Sequence, residues 1–461
     1  MTEADAPNIF DAPPVEPFYR QGTPNEPILL GSFRGQLRSD NSENPVQSEV
    51  KLRFVPQQRV ELHIPRPDDQ PFFTRISTFL EDNALDSLSL LDHGTSVDVH
   101  CLSTSESLYS PKQVPVPILP SSRSIERATI HLQNWPRLLG SGSYVLRTGK
   151  PPLEGYKTCG RFNLEFDDWL VTIVETQETD QLVEKLEETG GFVITHVGSV
   201  RRSDGNRFST EQLEEVLTFL TYFFSFVLGR WRGPCLAVGI DEFGARVFEE
   251  WGGRRCDAGS WTGHNSWFDS HHSQMLTATA GGFYRLWTNT VWSAPLREVI
   301  YWYLNANRGT SGLGVDSALL FSQAALELLA WTYCVLDKAM VSANAFKAGK
   351  LSAADKLRIL ASSLGLPLGI PQSLKSLNVL QPNGKNKWLD SMDAITDLRN
   401  GLVHPGGNRV TGSEIYFDGW RLSLWYLELI VLRLSGYSGD YSNRVLETRW
   451  IGQVEAVPWN S

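Results

Sequence analysis

The pattern of apolar and polar positions changes its period along the chain. Between residues 26 and 150, apolar and polar residues alternate over short stretches such as 50–55, 60–64, 96–100 and 128–132, with clusters of Gly, Pro, Asn and Asp between them. A period of two indicates strands with one buried face, and the clusters indicate turns. We therefore predict a β-rich N-terminal domain over residues 26–150, folded as a sandwich or a curved sheet.

Residues 151–274 combine both periods and predict a mixed α/β region. The elements expected there are a strand, a charged helix, a second strand, a long helix and a hairpin, at residues 166–174, 179–189, 191–197, 209–229 and 236–248. Ser209 and Gln212 form a capping signature at the start of the long helix, and Gly229 should end it. The second half of that helix is apolar on every side, which indicates burial between layers.

The last part of the chain, residues 275–461, is predicted to be mainly helical. Amphipathic helices are expected at 284–304, 317–341, 353–364, 388–403 and 418–434. Pro295 should kink or break the first of them. Long amphipathic helices joined by modest loops indicate an up-and-down bundle. The fold class predicted for the whole chain is α+β, with a β-rich N-terminal half followed by an all-α bundle.

Residues 1–25 show no periodicity and contain several prolines among acidic residues. This composition predicts a disordered or loosely attached tail without chemistry of its own.

Composition limits the classes of function. The formal net charge of −10 argues against a protein that coats nucleic acid non-specifically, although a local basic cleft would still hold a few phosphates. The sequence has no apolar run of about 18 residues, and its acidic start does not resemble a leader peptide. Its 5 Cys are scattered without a CxxC pair. We expect a cytoplasmic protein with free thiols, no membrane association, no metal site and no cofactor.

One stretch near the C-terminus places an arginine and a histidine at the end of a helix. The apolar residues that recur there with helical spacing are Leu389, Met392, Ile395, Leu398 and Leu402. Pro405 should end this helix at about His404, with Arg399 a little more than one turn earlier. Histidine titrates near neutrality, and the planar guanidinium of arginine suits a phosphate.

The spacing Arg399-x4-His404, with Asn400 directly after the arginine, resembles the catalytic motif of the HEPN superfamily of ribonucleases. The C-terminal run 425–434, the stretch 436–444 and the end at 457–459 resemble the HEPN domain of ApeA-like anti-phage proteins. The resemblance implies a metal-independent RNA endonuclease in which Arg399 and His404 are the catalytic pair and Asn400 orients the phosphate or the imidazole. It also implies a symmetric homodimer through the helical domain.

Further residues are candidates for supporting roles. Glu327 interrupts an apolar run and could be a buried partner of Arg399, or could lie on the surface of its helix. The basic residues Arg230, Arg232, Arg254 and Arg255 could contact RNA phosphates, or could lie in solvated turns.

Two hypotheses of function follow. In the first, the protein is an RNA-cutting effector of an abortive-infection or toxin type, whose β-rich half senses a trigger, such as a phage product, or restrains the nuclease. A structured RNA such as a tRNA would expose a suitable loop. In the second, the helical domain is a non-catalytic dimerisation module, and the protein binds RNA or a partner protein. A third option is a carbohydrate- or ligand-binding β domain fused to a dimerisation bundle.

Overall fold

The computed structural model describes residues 8–10, 13–39, 42–55, 57–63, 86–90, 95–103, 108–119, 123–139, 142–148, 155–258, 266–347, 349–379, 388–404 and 412–460. It is a mixed structure with a β-rich N-terminal half and a helical C-terminal half, as the sequence predicts.

Strands dominate the first half. In chain order they are β1 (Asn8–Phe10), β2 (Ile28–Ser39), β3 (Ser42–Arg53), β4 (Arg59–His63), β5 (Asp86–Leu90), β6 (Thr95–Ser103), β7 (Leu108–Pro111), β8 (Val116–Pro117), β9 (Arg127–Gln133), β10 (Ser143–Thr148), β11 (Gly155–Phe166), β12 (Trp169–Glu175), β13 (Ile194–Arg202), β14 (Cys235–Ile240) and β15 (Arg246–Trp251). Two helices accompany them, α1 (Thr179–Thr189) and α2 (Thr210–Leu228).

The strands form two separate structures. A closed antiparallel barrel has the order β2-β3-β4-β7-β6-β5, and its interior contains alternate apolar residues such as Val50 and Leu52. The other strands form a 9-stranded sheet with the order β1-β10-β11-β12-β13-β9-β14-β15-β8. The strands at 116–148, which we expected in the first β-rich domain, therefore pair with strands that follow residue 155. Long-range pairing decides this division, and local periodicity does not encode it.

The long helix α2 covers one face of the 9-stranded sheet. Its capping box is formed as predicted, with the Ser209 side chain accepting from the Gln212 backbone and Gly229 ending the helix in the left-handed conformation at φ 67°. Phe219, Phe223 and their neighbours are buried between the sheet and the helical bundle. One prediction here was wrong, because residues 166–174 do not form one strand. Asp167, at φ 50°, turns the chain between β11 and β12.

The N-terminal segment is attached to the sheet, in contrast to the expected loose tail. Val15 and Tyr19 are buried, and β1 pairs in parallel with β10. The Tyr19 backbone N–H donates to Nε2 of the buried His131 at 3.1 Å, and the Tyr19 hydroxyl donates to Glu249. Buried apolar side chains and specific hydrogen bonds therefore hold a segment whose composition alone indicates disorder.

The second half is a bundle of helices. They are α3 (Gln274–Thr288), α4 (Ser293–Ala306), α5 (Val315–Trp331), α6 (Ala343–Lys347), α7 (Ala353–Ser363), α8 (Lys375–Val379), α9 (Ser391–Val403) and α10 (Ser413–Leu434), with π-helical turns at Gly309–Leu313 and Thr332–Asp337. The break predicted near Pro295 lies between α3 and α4, and Pro295 occupies the first turn of α4, where a missing N–H is tolerated.

Helix α5 is the central helix of this bundle, in contact with α4, α7, α9 and α10. Together with the π-turn that follows it, it is long and apolar enough to span a membrane, but 50% of its most apolar window is buried inside the protein. The core helix of a bundle has the same length and composition. After α10 the chain adds two short paired strands, β16 (Asp440–Tyr441) and β17 (Glu455–Ala456).

Candidate functional site

Helix α9 ends at Val403, where the sequence predicts, and begins at Ser391, three residues after the predicted start at Trp388. The Asp390 side chain accepts a hydrogen bond from the Asp393 backbone N–H at 3.0 Å and so caps the N-terminus. At the other end, His404 leaves the helical conformation at φ −101° and ψ 114°, while its own N–H still donates to the Asn400 carbonyl at 3.0 Å. The predicted terminator, Pro405 with the two glycines after it, lies outside the described residues.

The three motif residues differ in exposure. His404 is exposed at the helix end, whereas Arg399 and Asn400 are half-buried. Nη1 of Arg399 donates to Oδ1 of Asn400 at 3.1 Å. Ile395 and Thr396, which precede Arg399 by about one turn, are both buried, so Arg399 leaves the helix on its inward-facing side. The arrangement places a titratable ring in solvent and a guanidinium partly inside the protein.

Gly419 of α10 fixes the position of the motif within the bundle. Leu398 of α9 and Leu319 of α5 both pack against it, so these residues lie at one level of the bundle. Trp420, the next residue, donates from Nε1 to the Ala306 carbonyl at 2.7 Å. The end of α9, the start of α5, the end of α4 and the first turns of α10 therefore meet at one end of the bundle, which we call the motif end.

Glu327 does not lie beside Arg399. It follows Leu319 by two turns of α5, which is about 12 Å along the helix axis. There it is half-buried and accepts a hydrogen bond from Gln323 Nε2 at 2.9 Å. No ion pair joins Glu327 to Arg399 in the described part of the chain. The expectation of a buried partner failed because an acidic residue in an apolar run can be satisfied on its own helix.

The four arginines predicted to contact RNA phosphates form two basic clusters, Arg230 with Arg232 and Arg254 with Arg255, and the two clusters lie side by side. The four arginines nevertheless differ in their contacts. Arg232 is 2% exposed and donates to the carbonyl groups of Trp231 and Asp257, so it is a structural residue. Arg254 binds Glu214 through two hydrogen bonds of 2.9 and 2.7 Å. These two arginines are therefore occupied by protein groups, and a phosphate would have to displace those contacts.

Arg230 and Arg255 are the other members of the clusters. Arg255 is exposed, with its guanidinium 4.5 Å above the ring of Trp231. Arg230 is half-buried, and burial lowers its pKa to about 10. The loop that carries Arg230 also reaches the motif end, because the Gly229 carbonyl accepts from the Asn307 side chain at 2.7 Å. Asn307 directly follows Ala306, the last residue of α4, and Trp420 packs against Ala306.

Sequence reasoning missed one polar residue at the motif end. Tyr416 of α10 is 7% exposed, and its hydroxyl is buried without a hydrogen-bond partner among the described residues. In a periodic apolar helix a tyrosine is indistinguishable from an ordinary core aromatic, so the sequence carried no signal for it.

Three other buried titratable groups lie in the sheet. Burial lowers the pKa of His131 to about 4 and that of His196 to about 3, and it raises the pKa of Glu250 to about 7. Among the residues that the structure describes, no group of His, Cys, Asp and Glu has the arrangement of a metal site.

The fold and the motif define a class of two-part protein, in which a barrel and a 9-stranded sheet precede a helical bundle with an arginine and an exposed histidine at one end. The comparisons with known proteins follow the same division. Residues 120–262 match the model of the YopA central domain, and residues 289–456 match that of the YopA C-terminal domain.

A curated protein matches as well. The chain is 29% identical over 333 residues to the SPbeta prophage-derived uncharacterized protein YopA of Bacillus subtilis (strain 168), an overlap of 69% of this chain and 70% of the relative. No solved structure matches the chain. The match to the central domain covers most of the 9-stranded sheet, and the match to the C-terminal domain covers the bundle from α4 onward.

Proposed function

We propose that the protein is a metal-independent RNA endonuclease of the HEPN type, with Arg399 and His404 as its catalytic pair. The observation that carries the proposal is the exposure of His404 at the end of α9, five residues after a half-buried Arg399 that no carboxylate neutralises in the described part of the chain. A histidine held in a core salt bridge could not exchange protons with a substrate. This histidine is open to one.

The proposed reaction needs two proton transfers. A neutral His404 removes the proton of a ribose 2′-OH while O2′ attacks the adjacent phosphorus. The bond from phosphorus to the 5′ oxygen breaks, and that oxygen takes a proton from an imidazolium. The products are a 2′,3′-cyclic phosphate and a 5′-OH end. Arg399 stabilises the negative charge on the non-bridging phosphoryl oxygens, and Asn400 orients the guanidinium to which it is bonded.

One imidazole cannot be the base and the acid at the same moment. We therefore propose a symmetric homodimer in which His404 and the partner's His404 face one phosphate, the first neutral and the second protonated. Each protomer also supplies Arg399. Every turnover exchanges the protonation states of the two imidazole rings. In the next turnover the ring that acted as the base can therefore act as the acid, and the other ring as the base.

Arg255 and Arg230 are proposed as phosphate contacts that position the RNA. Their loops adjoin the motif end through Gly229 and Asn307, and Arg255 is exposed. Because the chain has a net charge of −10, binding should depend on this local patch and not on a general attraction. The proposed substrate is a structured RNA with an unpaired loop, such as a tRNA.

We propose a cytoplasmic role in defence, in which the nuclease acts as an abortive-infection or toxin effector and the β-rich half responds to a phage-derived trigger. The relative is described as prophage-derived, and a prophage gains from an effector that stops the growth of a second phage.

The test is cleavage of total cellular RNA by the purified full-length protein in EDTA, with the ends of the fragments mapped. Wild type should give discrete fragments with cyclic-phosphate ends, and His404→Ala should give none. The matched control is His100→Ala, which removes an exposed histidine from the barrel and should cleave as wild type does. Full activity in His404→Ala would refute the site. A folded, dimeric wild type that cuts no RNA would instead favour an interaction module.

A further inference from the structure

The motif end contains a buried hydroxyl group that has no hydrogen-bond partner in the described part of the chain. The hydroxyl oxygen of Tyr416 is inaccessible to solvent, and no hydrogen-bond partner for it occurs among the described residues. A buried polar group without a partner destabilises the fold, so such groups are rare and call for an explanation. Phenylalanine at this position would fill the same space without that penalty.

The direction of the Tyr416 side chain follows from its neighbours on α10. Tyr416 precedes Gly419 by three residues, so both lie on one side of the helix. Gly419 packs against Leu398 of α9, and Trp420 packs against the end of α4. The buried Tyr416 side chain therefore lies on the side of α10 that packs against the other helices at the motif end.

Arg399 leaves α9 towards the same interior. It follows Leu398 directly, and its neighbours one turn earlier on that side of α9 are buried. Arginine is a donor-only group with five N–H bonds, and among the residues that the structure describes one of these donors of Arg399 is used, by Asn400. The unused acceptor on Tyr416 and the unused donors on Arg399 are complementary.

We infer that Tyr416 is a positioning residue for Arg399, whose guanidinium donates to the Tyr416 hydroxyl when the site is assembled around a phosphate. The inference rests on the proposed nuclease function and deepens it. With one edge of the guanidinium held by Tyr416 and Asn400, the remaining N–H groups face the phosphoryl oxygens as a fixed fork. The hydroxyl itself is buried, so it acts through Arg399 and does not touch RNA.

The test compares Tyr416→Phe with a matched control, Thr332→Val, in the metal-free cleavage assay and in thermal unfolding. Thr332, in the π-turn that follows α5, also has a buried hydroxyl without a partner among the described residues, but it lies 13 residues beyond Leu319, about 20 Å away along the helix. Both substitutions remove an unpaired buried hydroxyl, so both should leave the melting temperature unchanged or raise it. Tyr416→Phe alone should lower kcat, by about tenfold, with little change in KM.

A double-mutant cycle distinguishes positioning from packing. If Tyr416 acts through Arg399, Tyr416→Phe should have no further effect on single-turnover cleavage in an Arg399→Lys background, in which the fork is already lost. Wild-type kcat in Tyr416→Phe, equal losses in Thr332→Val, or full additivity with Arg399→Lys would each overturn the inference. If wild type cleaves RNA and His404→Ala does not, any of these three results refutes the role of Tyr416 and leaves the proposed nuclease function standing. A wild type without RNA cleavage would overturn both.

Discussion

Leu398 lies directly against Gly419, so α9 and α10 touch where the Arg399 motif begins. A methyl group on Gly419 would overlap the Cδ1 atom of Leu398. Helix α9 also packs against α5, so it cannot move freely away from α10. We expect Gly419→Ala to destabilise the protein by about 1–3 kcal/mol and to abolish most RNA cleavage, because Arg399 shifts together with Leu398. Chemical denaturation and the cleavage assay check the two parts.

The control for this substitution is Gly281→Ala in α3. A methyl group there would meet the Glu165 carbonyl oxygen at 3.6 Å, an ordinary contact distance. Alanine also has the higher helix propensity, so Gly281→Ala should be neutral or slightly stabilising and should leave cleavage intact. Equal effects of the two substitutions would mean that the close approach of α9 and α10 has no special importance.

The basic patch offers a second comparison, between an exposed and a buried arginine. Arg255→Ala should leave stability within about 0.5 kcal/mol of wild type, weaken RNA binding and reduce its salt dependence by about one phosphate contact. Arg232→Ala should destabilise the protein by about 2–4 kcal/mol, because carbonyl acceptors lose a buried donor. Filter binding at several salt concentrations measures the first effect, and thermal unfolding the second.

Arg20→Ala is the control for the loss of an exposed positive charge. Its side chain is 59% exposed and pairs only with Glu16 on the N-terminal segment, among the residues described. RNA binding should not change. If Arg20→Ala and Arg255→Ala weaken RNA binding equally, Arg255 and the other arginines beside Trp231 do not form a specific contact with RNA.

Local signals in the sequence were sufficient to predict several elements accurately. The capping box at Ser209 and the stop at Gly229 delimit α2, and the periodic apolar residues delimit α9 up to His404. In each case the information lies within a few residues of the element, in side-chain caps and helix terminators. The C-terminal end of the motif helix could therefore be predicted without knowledge of the rest of the fold.

Long-range partners could not be predicted in this way. Nothing near Arg232 in the sequence indicates that its donors meet the Asp257 carbonyl, and nothing near Tyr19 indicates the contact with His131. The same limit explains why two positions stayed open for Glu327, a buried partner of Arg399 or the surface of its helix, and why residues 13–25 were expected to be loose. Which buried groups pair depends on how helices and strands pack, and the periodicity of one element does not contain that information.

A buried ion pair connects the last helix to the C-terminal segment. Nη2 of Arg444 lies 2.5 Å from Oε1 of Glu428, both side chains are almost fully buried, and the Tyr303 hydroxyl donates to the same carboxylate at 2.6 Å. Arg444→Met would leave the Glu428 charge buried without its cation. We expect a loss of about 3–5 kcal/mol in the free energy of unfolding, measured by urea denaturation.

Lys375→Met is the matched control for the ion pair. Its ammonium group also lies 2.5 Å from a carboxylate, that of Glu447, but both side chains are more than half exposed. Solvent screens this pair, and its loss should cost less than about 1 kcal/mol. Similar losses in the two variants would show that burial does not determine the strength of the Arg444 pair.

The contact between His131 and Tyr19 predicts how stability responds to acid. Nδ1 of His131 lies 3.0 Å from the Leu236 carbonyl oxygen and therefore carries the proton, and Nε2 accepts from the Tyr19 N–H. A second proton would have to enter at Nε2, where a donor already points. Burial accordingly lowers the pKa of His131 to about 4, below the 6.5 of an exposed histidine.

The sign of the effect follows from proton linkage. Between about pH 6.5 and 4 the unfolded chain binds a proton at His131 that the folded chain does not, so stability is complete above pH 6.5 and falls as the pH is lowered. At pH 5 this residue alone should cost about 2 kcal/mol. His131→Gln, which retains a donor and an acceptor, should lose that much less between pH 7 and 5, whereas His100→Gln, on the exposed side of the barrel, should follow wild type. Urea denaturation at each pH measures the three curves, and parallel curves for wild type and His131→Gln would refute the assignment.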